Sequence, residues 1–198
     1  AYDKGHPLAN DVFNALVGLC PRRRYGQQFW PLLKEPLQSE ALREAAWLEA
    51  RYLEGRTVTE LASLVTIAPT GRHDLFDRLW KTRAARHHPL DAEFLDKVLR
   101  AMSMADRDLR WTEWLRGKQD EIVENMKGVE ERWQQVAPAN PLEKLRARWV
   151  MWALTSTVRL LRDHATKALY TFGCRDPSAL FELTLDSLGV NDPYVPER

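Results

Sequence analysis

The chain has 198 residues, and its 44% hydrophobic content is sufficient for a sizeable buried core. Its 29 Lys and Arg residues nearly balance 28 Asp and Glu residues, so overall charge gives no argument for nucleic acid or an anionic membrane as a partner. The two cysteines are far apart and form no CxxC motif, which disfavours a disulfide framework and favours a reducing compartment.

Neither a secretory signal nor a membrane span is predicted, because no apolar run approaches the ~18 residues that a spanning helix needs. We therefore expect a cytoplasmic protein with no membrane partner. The chain starts at Ala1 without Met and stops soon after a helix-start signal at Asp192-Pro193. From these ends we expect a fragment of a longer protein.

In the first part of the chain, apolar residues recur at helical spacing behind polar capping residues. The predicted caps are Asn10 or Asp11, Ser39, Thr57 and Thr70. The helix after Thr70 should run to about His87, because Pro89 forbids its continuation.

Three further helices are predicted in the middle of the chain. Asp91 should cap the first. The second spans 105–115, with Leu109 on its apolar face, and the charged run after Gly117 should break or bend the chain before the third. Asn140-Pro141 then marks a clear boundary, with a cap and a proline in the first turn.

Helix and turn signals alternate most clearly at the C-terminal end. A helix begins at Ser156 or Thr157, presents the small Ala165 and Ala168 to a neighbouring helix, and should end at Gly173. The Asp-Pro start signal then occurs twice, at Asp176-Pro177 and Asp192-Pro193, with Gly189 ending the helix between them.

Together these patterns predict an all-α protein of about ten helices, with no sustained period-two alternation for a sheet. Short connections favour antiparallel helix pairs. We predict an α–α superhelix, a HEAT-like solenoid without a sheet. Irregular helix pairs would occupy 1–137 and HEAT-like pairs 138–198, forming one continuous array.

Two sets of residues carry a resemblance to known families. The pattern of Leu161-Arg162, Ala165, Ala168-Leu169, Pro177, Leu180, Leu183 and Asn191-Asp192 resembles the HEAT repeat. A second set looks like part of very large bacterial proteins similar to STAND-class (NACHT-like) NTPases, in which a P-loop domain precedes a helical array. This second resemblance is carried by four short sequence segments, which start with Leu8-Ala9-Asn10, His88-Pro89-Leu90, Ser103-Met104-Ala105 and Arg162-Asp163-His164.

The second resemblance implies a sensor or scaffold segment of an ATP-binding protein in signalling or antiviral defence. Its partner would be another protein or the parent chain's own NTPase domain. The chain itself has no GxxxxGK[ST] motif and no recognisable catalytic constellation, so we expect no enzymatic activity and no cofactor in this segment.

Tryptophan pairs three residues apart form the first candidate interaction surface. Trp111 and Trp114 would share one helical face, as would Trp149 and Trp152. Core packing is the ordinary role of such pairs. The functional alternative is an aromatic platform for a peptide or an exposed base.

Two basic clusters form the second candidate surface and support an alternative function, a nucleic-acid-binding helical array. The clusters are Arg22, Arg23 and Arg24, and then Lys81, Arg83, Arg86, His87 and His88. The ordinary interpretation is a hydrated surface, with cations favoured at a helix C-terminus.

Two further site hypotheses use other polar residues. His87, His88 and Asp91 suggest a metal site, although adjacent His side chains diverge. The acidic run of Asp91, Glu93 and Asp96 beside Lys97 suggests a nuclease, although acids are also favoured in a first helical turn.

The remaining polar and thiol residues are assigned structural roles. Cys20 and Cys174 are expected to be buried and inert. Asp163 and Asp192 should be surface and turn residues, and Arg159 and Arg162 should pair with turn acids of an adjacent repeat.

Overall fold

The computed structural model describes residues 47, 50, 53, 58–59, 61–62, 73–135, 140–192 and 194–197. Within them every regular element is a helix and no strand occurs. The prediction of an all-α protein is thereby confirmed for these residues. None of their helices is long and apolar enough to cross a membrane.

The chain divides into two compact units, residues 1–78 and 79–198. In the first unit, Leu53 and Leu61 are fully buried. The predicted boundary at 138 lies within the second unit, and the adjoining residues 136–139 are outside the described part of the chain.

The first two helices are α1 (His73–Thr82) and α2 (Ala92–Ala101). α1 ends well before His87, the predicted end, because the chain turns at once: Thr82 Oγ1 donates to the carbonyl of Leu90 at 2.5 Å. His87 adopts a positive φ of 61° in this turn. The predicted cap of α2 is confirmed, since Asp91 Oδ1 accepts from the N–H groups of Glu93 and Phe94.

The third helix, α3, contains a π-helical turn. It consists of Met104–Arg107, the π-helical Asp108–Thr112 and Glu113–Gly117. The predicted break follows at Lys118, after which α4 runs over Gln119–Gln135. Leu109 is 65% exposed, so its predicted place on an apolar face is wrong.

The remaining helices follow the predicted start signals closely. They are α5 (Pro141–Ala153), α6 (Arg159–Arg175), α7 (Pro177–Ser187) and the short α8 (Tyr194–Glu197). Side-chain caps from Asn140, Asp176 and Asp192 open α5, α7 and α8, as predicted. α6 is the exception: it begins at Arg159, not at Ser156 or Thr157, and without a side-chain cap, because Ser156 Oγ accepts from the N–H of Val158 before the helix starts.

Gly173 does not end α6, contrary to the prediction, because the helix continues to Arg175. Its small size serves packing instead. A Cβ atom at Gly173 would collide with the side chain of Leu180 on α7. The absent side chain therefore allows α6 and α7 to approach each other closely.

Alternate helices in this region run in the same direction. Between α4 and α6, Glu130 pairs with Lys167 at 3.0 Å and Gln134 accepts from Arg175 through its carbonyl. Residue numbers rise together across these contacts, so the two helices are parallel. The fully buried Ala165 and Ala168 confirm the predicted small-residue face of α6.

α5 and α7 are also parallel, because residue numbers rise together across their ion pairs. Lys144 pairs with Glu182 at 3.0 Å, and Arg148 pairs with Asp186 at 2.5 Å. Each of these pairs joins residues 38 positions apart. The α4–α6 contact from Arg175 to Gln134 spans 41 positions.

Polar bridges that the sequence interpretation missed tie α2 and α3 to the C-terminal helices. Arg107 is fully buried and pairs with Asp192 at 3.2 Å. Asp192 thus lies in a turn, as predicted, but it is buried and not on the surface. The expected arginine ladder from α6 is also wrong. Arg159 pairs with Asp163 of its own helix, and Arg162 donates to the carbonyl of Ser156.

Candidate functional site

Trp111 and Trp114 do not form a surface platform, which corrects that interpretation. Their side chains are 0% and 1% exposed. Trp111 Nε1 donates to the carbonyl of Trp152 at 3.1 Å and to Thr155 Oγ1 at 3.0 Å. Both indoles therefore lie in the core, in the ordinary packing role predicted for such pairs.

Four indoles pack together in what we call the tryptophan cluster, formed by Trp80, Trp111, Trp114 and Trp149. The rings of Trp111 and Trp114 stack with centroids 5.2 Å apart. Trp149 lies 4.6 Å from Trp80 and 6.0 Å from Trp111. The cluster brings α1, α3 and α5 together.

The predicted basic cluster at 81–88 is divided in the structure. Lys81 and Arg86 are exposed, whereas Arg83 is folded over the ring of Trp80 at 3.5 Å from its centroid. Arg83 also donates to the carbonyl of Trp80. Arg22, Arg23 and Arg24, the other predicted cluster, lie outside the described residues.

Beside the tryptophan cluster lies a cavity of about 710 Å³, here called the arginine cavity. Its apolar wall includes Trp80, Trp149, Val129 and Val150. Its polar lining comprises Arg83, Glu121, Glu124, Asn125, Arg132 and Arg146. A volume of this size is in the range of small-molecule sites, roughly 300–1,000 Å³.

Two of the cavity's arginines are anchored by a buried carboxylate. Glu143 is 1% exposed and accepts from Arg132 Nε at 2.9 Å and from Arg146 Nη1 at 2.6 Å. Its second oxygen accepts from Trp133 Nε1 at 2.8 Å. Glu143 therefore fixes the positions of both guanidinium groups.

Arg83 lacks such an anchor. Among the described residues, no carboxylate forms an ion pair with it, although Glu121 exerts an attraction. Burial, together with repulsion from Arg146, lowers the pKa of Arg83 to about 10. The group stays protonated near pH 7, so the cavity holds a cation that lacks a directly bonded anion.

The cavity's two carboxylates contact donors other than its arginines. Glu121 accepts from Trp80 Nε1 at 2.7 Å and approaches Lys118 at 3.6 Å. Glu124 pairs with Lys127 at 3.2 Å. Each therefore has a donor other than the cavity's arginines.

One buried donor in the cavity wall has no acceptor. Trp149 is 1% exposed, and its Nε1 finds no hydrogen-bond partner among the described residues. An unpaired buried N–H costs about 1–3 kcal/mol. One of the residues that line the cavity thus carries a buried donor without a partner, while Arg83 is the cavity's unanchored guanidinium.

A second surface feature is an apolar stripe on α7. Phe181, Leu185 and Leu188 are 64%, 53% and 63% exposed. Their spacing of four and three residues places them on one side of the chain at α7. We call this set the α7 stripe.

The suggested metal and nuclease residues do not converge. His88 Nδ1 accepts from the N–H of Leu90 at 3.1 Å, while His87 is exposed. Asp96 is buried, where it accepts from Trp152 Nε1 at 2.7 Å and from Arg100 Nε at 2.9 Å. In the described part of the chain, no group of three potential metal ligands comes together.

Cys174 is exposed, which contradicts its predicted burial. It lies in the last turn of α6, on the side facing away from the core. Cys20 lies outside the described residues.

Comparisons with family models, with curated proteins and with solved structures each found no match to this chain.

The sequence interpretation identified Arg83 but not its setting. Trp80 and Arg83 are three residues apart, a spacing that brings an indole and a guanidinium together on a helix. The sequence therefore contained a signal for the contact between Trp80 and Arg83. It contained no signal for the residues of α4 and α5 that line the cavity, because Glu121 and Trp149 reach it through tertiary packing alone.

Proposed function

We propose that this chain is part of a non-catalytic helical-repeat scaffold, an α–α superhelix of antiparallel pairs that binds a partner protein. The parallel course of α4 with α6, and of α5 with α7, supports stacking of one helix pair on the next. Contacts 38 and 41 positions apart fit a unit of about 40 residues, the lower end of the HEAT range.

The α7 stripe is the observation that carries the protein-binding part of this proposal. In the register set by the 38-residue ion pairs, Phe181, Leu185 and Leu188 correspond to Glu143, Ala147 and Val150. Those three residues of α5 are at most 2% exposed. Contiguous exposed apolar side chains mark interaction sites more often than ordinary surface.

In a larger NTPase, partner binding at this surface would shift the equilibrium between inactive and active states. A partner can do so only if it binds one state more tightly than the other. This part of the proposal rests on the family resemblance alone.

The experiment is affinity capture from bacterial lysate on immobilised protein, with and without nuclease. Three forms are compared: wild type, a stripe variant with Phe181→Ser, Leu185→Ser and Leu188→Ser, and a control, Tyr170→Ser. Tyr170 is 71% exposed on α6, so the control removes a large exposed ring outside the stripe. Circular dichroism verifies that all three retain the same helix content.

We expect a defined protein on wild type and the control, absent from the stripe variant and insensitive to nuclease. Capture that disappears with nuclease would favour the nucleic-acid alternative. A captured protein that is retained equally by the stripe variant would contradict the assigned surface.

A further inference from the structure

The arginine cavity has the composition of a binding site rather than of a packing defect. Packing voids in protein interiors are small and apolar. This cavity has instead two indole walls, three guanidinium groups and the carboxylates of Glu121 and Glu124, which have other donors. Two of those groups are held in place by Glu143.

Its unsatisfied groups are donors. Arg83 has no directly bonded carboxylate among the described residues, and Arg146 repels it electrostatically. Trp149 Nε1 is buried without an acceptor in the described part of the chain. A group that brings acceptor oxygens and negative charge would satisfy Arg83, because guanidinium donors bind carboxylate and phosphate oxygens with charge-assisted hydrogen bonds.

The apolar wall indicates that the ligand has an apolar part in addition to its anionic group. Trp80 and Trp149 lie with ring centroids 4.6 Å apart, next to Val129 and Val150. The edge of a flat apolar body would meet Val129 and the part of Trp80 that the Arg83 guanidinium leaves uncovered. Gly128 leaves the adjacent stretch of α4 open, since a Cβ there would have no atom of the described residues within 4 Å apart from its chain neighbours and the backbone of its own helix.

We propose that the arginine cavity binds a small organic anion, one carboxylate or phosphate group on a flat apolar body. The anionic group contacts Arg83 and Arg146. The apolar body lies along Trp80 and Val129. This site is independent of the α7 stripe and of partner binding.

The test uses three probes of one shape: naphthoate, naphthyl phosphate and the neutral naphthamide. Binding to the full chain is measured by calorimetry, and the Trp149 indole N–H is followed by NMR, assigned with Trp149→Phe. We expect an anionic probe to bind at least about tenfold more tightly than naphthamide, and to shift the Trp149 signal. Whichever anion binds more tightly identifies the natural head group.

Variants test the assigned residues. Arg83→Met keeps much of the side-chain volume without the charge, and we expect it to weaken anion binding about tenfold or more. The matched control is Arg159→Met, at a side chain that is 86% exposed on α6 and outside the cavity. It should leave affinity within about twofold.

Equal affinity for naphthoate, naphthyl phosphate and naphthamide would overturn the proposal, as would absence of binding by both anions at millimolar concentration. These ligand comparisons use wild-type protein and do not depend on whether a variant folds. Anion affinity unchanged by Arg83→Met would also overturn it.

Discussion

Arg107 lies in the core with no exposed side-chain surface, and Asp192 supplies the carboxylate that balances its charge. The guanidinium also donates to the carbonyls of Leu99 and Asn191. A charge this deeply buried is tolerated only because it is paired and hydrogen-bonded. Removing the partner charge is therefore much costlier than removing an exposed charge.

We predict that Asp192→Asn lowers the free energy of unfolding by about 3 kcal/mol, because it leaves Arg107 buried without a counter-charge. Asparagine retains an oxygen that can accept from the Tyr194 N–H, so the cap of α8 is preserved. Urea denaturation followed by circular dichroism measures the change.

The control is Asp163→Asn, at an exposed ion pair on α6, which should cost at most about 1 kcal/mol. The double variant Arg107→Met/Asp192→Asn should recover part of the loss, since it removes the uncompensated charge. A loss no larger than that of the control would contradict the assigned role of the pair.

Asp91 allows a pH prediction at the cap of α2. Burial raises the pKa of this carboxyl, despite the opposing hydrogen bonds from Phe94 and Glu93. At pH values near this raised pKa, the Asp91 carboxyl therefore binds more protons in the folded chain than in the unfolded chain. The contribution of Asp91 to stability must fall as pH rises from about 3.9, the unfolded value, through the raised pKa.

We expect the free energy of unfolding of wild type, minus that of Asp91→Asn, to decrease as pH rises through this window. Asparagine also caps helices and does not titrate, so the subtraction removes the effects of other carboxyl groups. Urea denaturation at a series of pH values gives the difference. An increase with pH would show that the cap's hydrogen bonds outweigh burial.

At the scale of helices, Gly173 sets how closely α6 and α7 pack. Gly173→Ala should lower the free energy of unfolding by about 1–3 kcal/mol, because the new methyl group collides with Leu180. Gly128→Ala on α4 is the matched control and should raise stability by about 0.5–1 kcal/mol, since its Cβ meets open space among the described residues.

Thermal and urea unfolding of both variants measure this contrast. Adding Leu180→Ala to Gly173→Ala should recover some of the lost stability by relieving the collision. Stabilisation by Gly173→Ala alone would mean that helix propensity, not packing, dominates at this position.

The helix starts could be predicted because their signals are local. Asp91, Asn140 and Asp176 each cap a helix through a residue two or three positions away. Gly173 illustrates the opposite case. A glycine near a helix end is a typical stop signal, but here a side chain on the next helix determines its role.

The candidate site was less predictable because, as at Gly173, its contacts come from other helices and not from neighbours in the sequence. The neighbour spacing of Trp80 and Arg83 is local, yet the setting of Arg83 depends on three helices together. The bridge from Arg107 to Asp192 spans 85 positions, and no periodicity encodes such a contact.

At the scale of the whole chain, residues 79–198 form one compact unit with its own tryptophan cluster. We predict that a fragment comprising 73–198, which keeps α1 intact, unfolds in one cooperative transition. Its near-ultraviolet circular dichroism should retain the signal of packed indoles. A molten spectrum, with helix content but no indole signal, would contradict this autonomy.

The π-helical turn in α3 has a consequence for chain length. The Glu113 N–H donates to the carbonyl of Asp108, five residues back, where an α-helix would use the residue four back. The turn thus accommodates one residue beyond regular helical winding. Deleting one residue within Asp108–Thr112 would allow continuous α-helix, whereas a deletion on either side would rotate the downstream part of α3 by about 100°. Homologous chains one residue shorter in α3 should therefore have lost that residue within this turn.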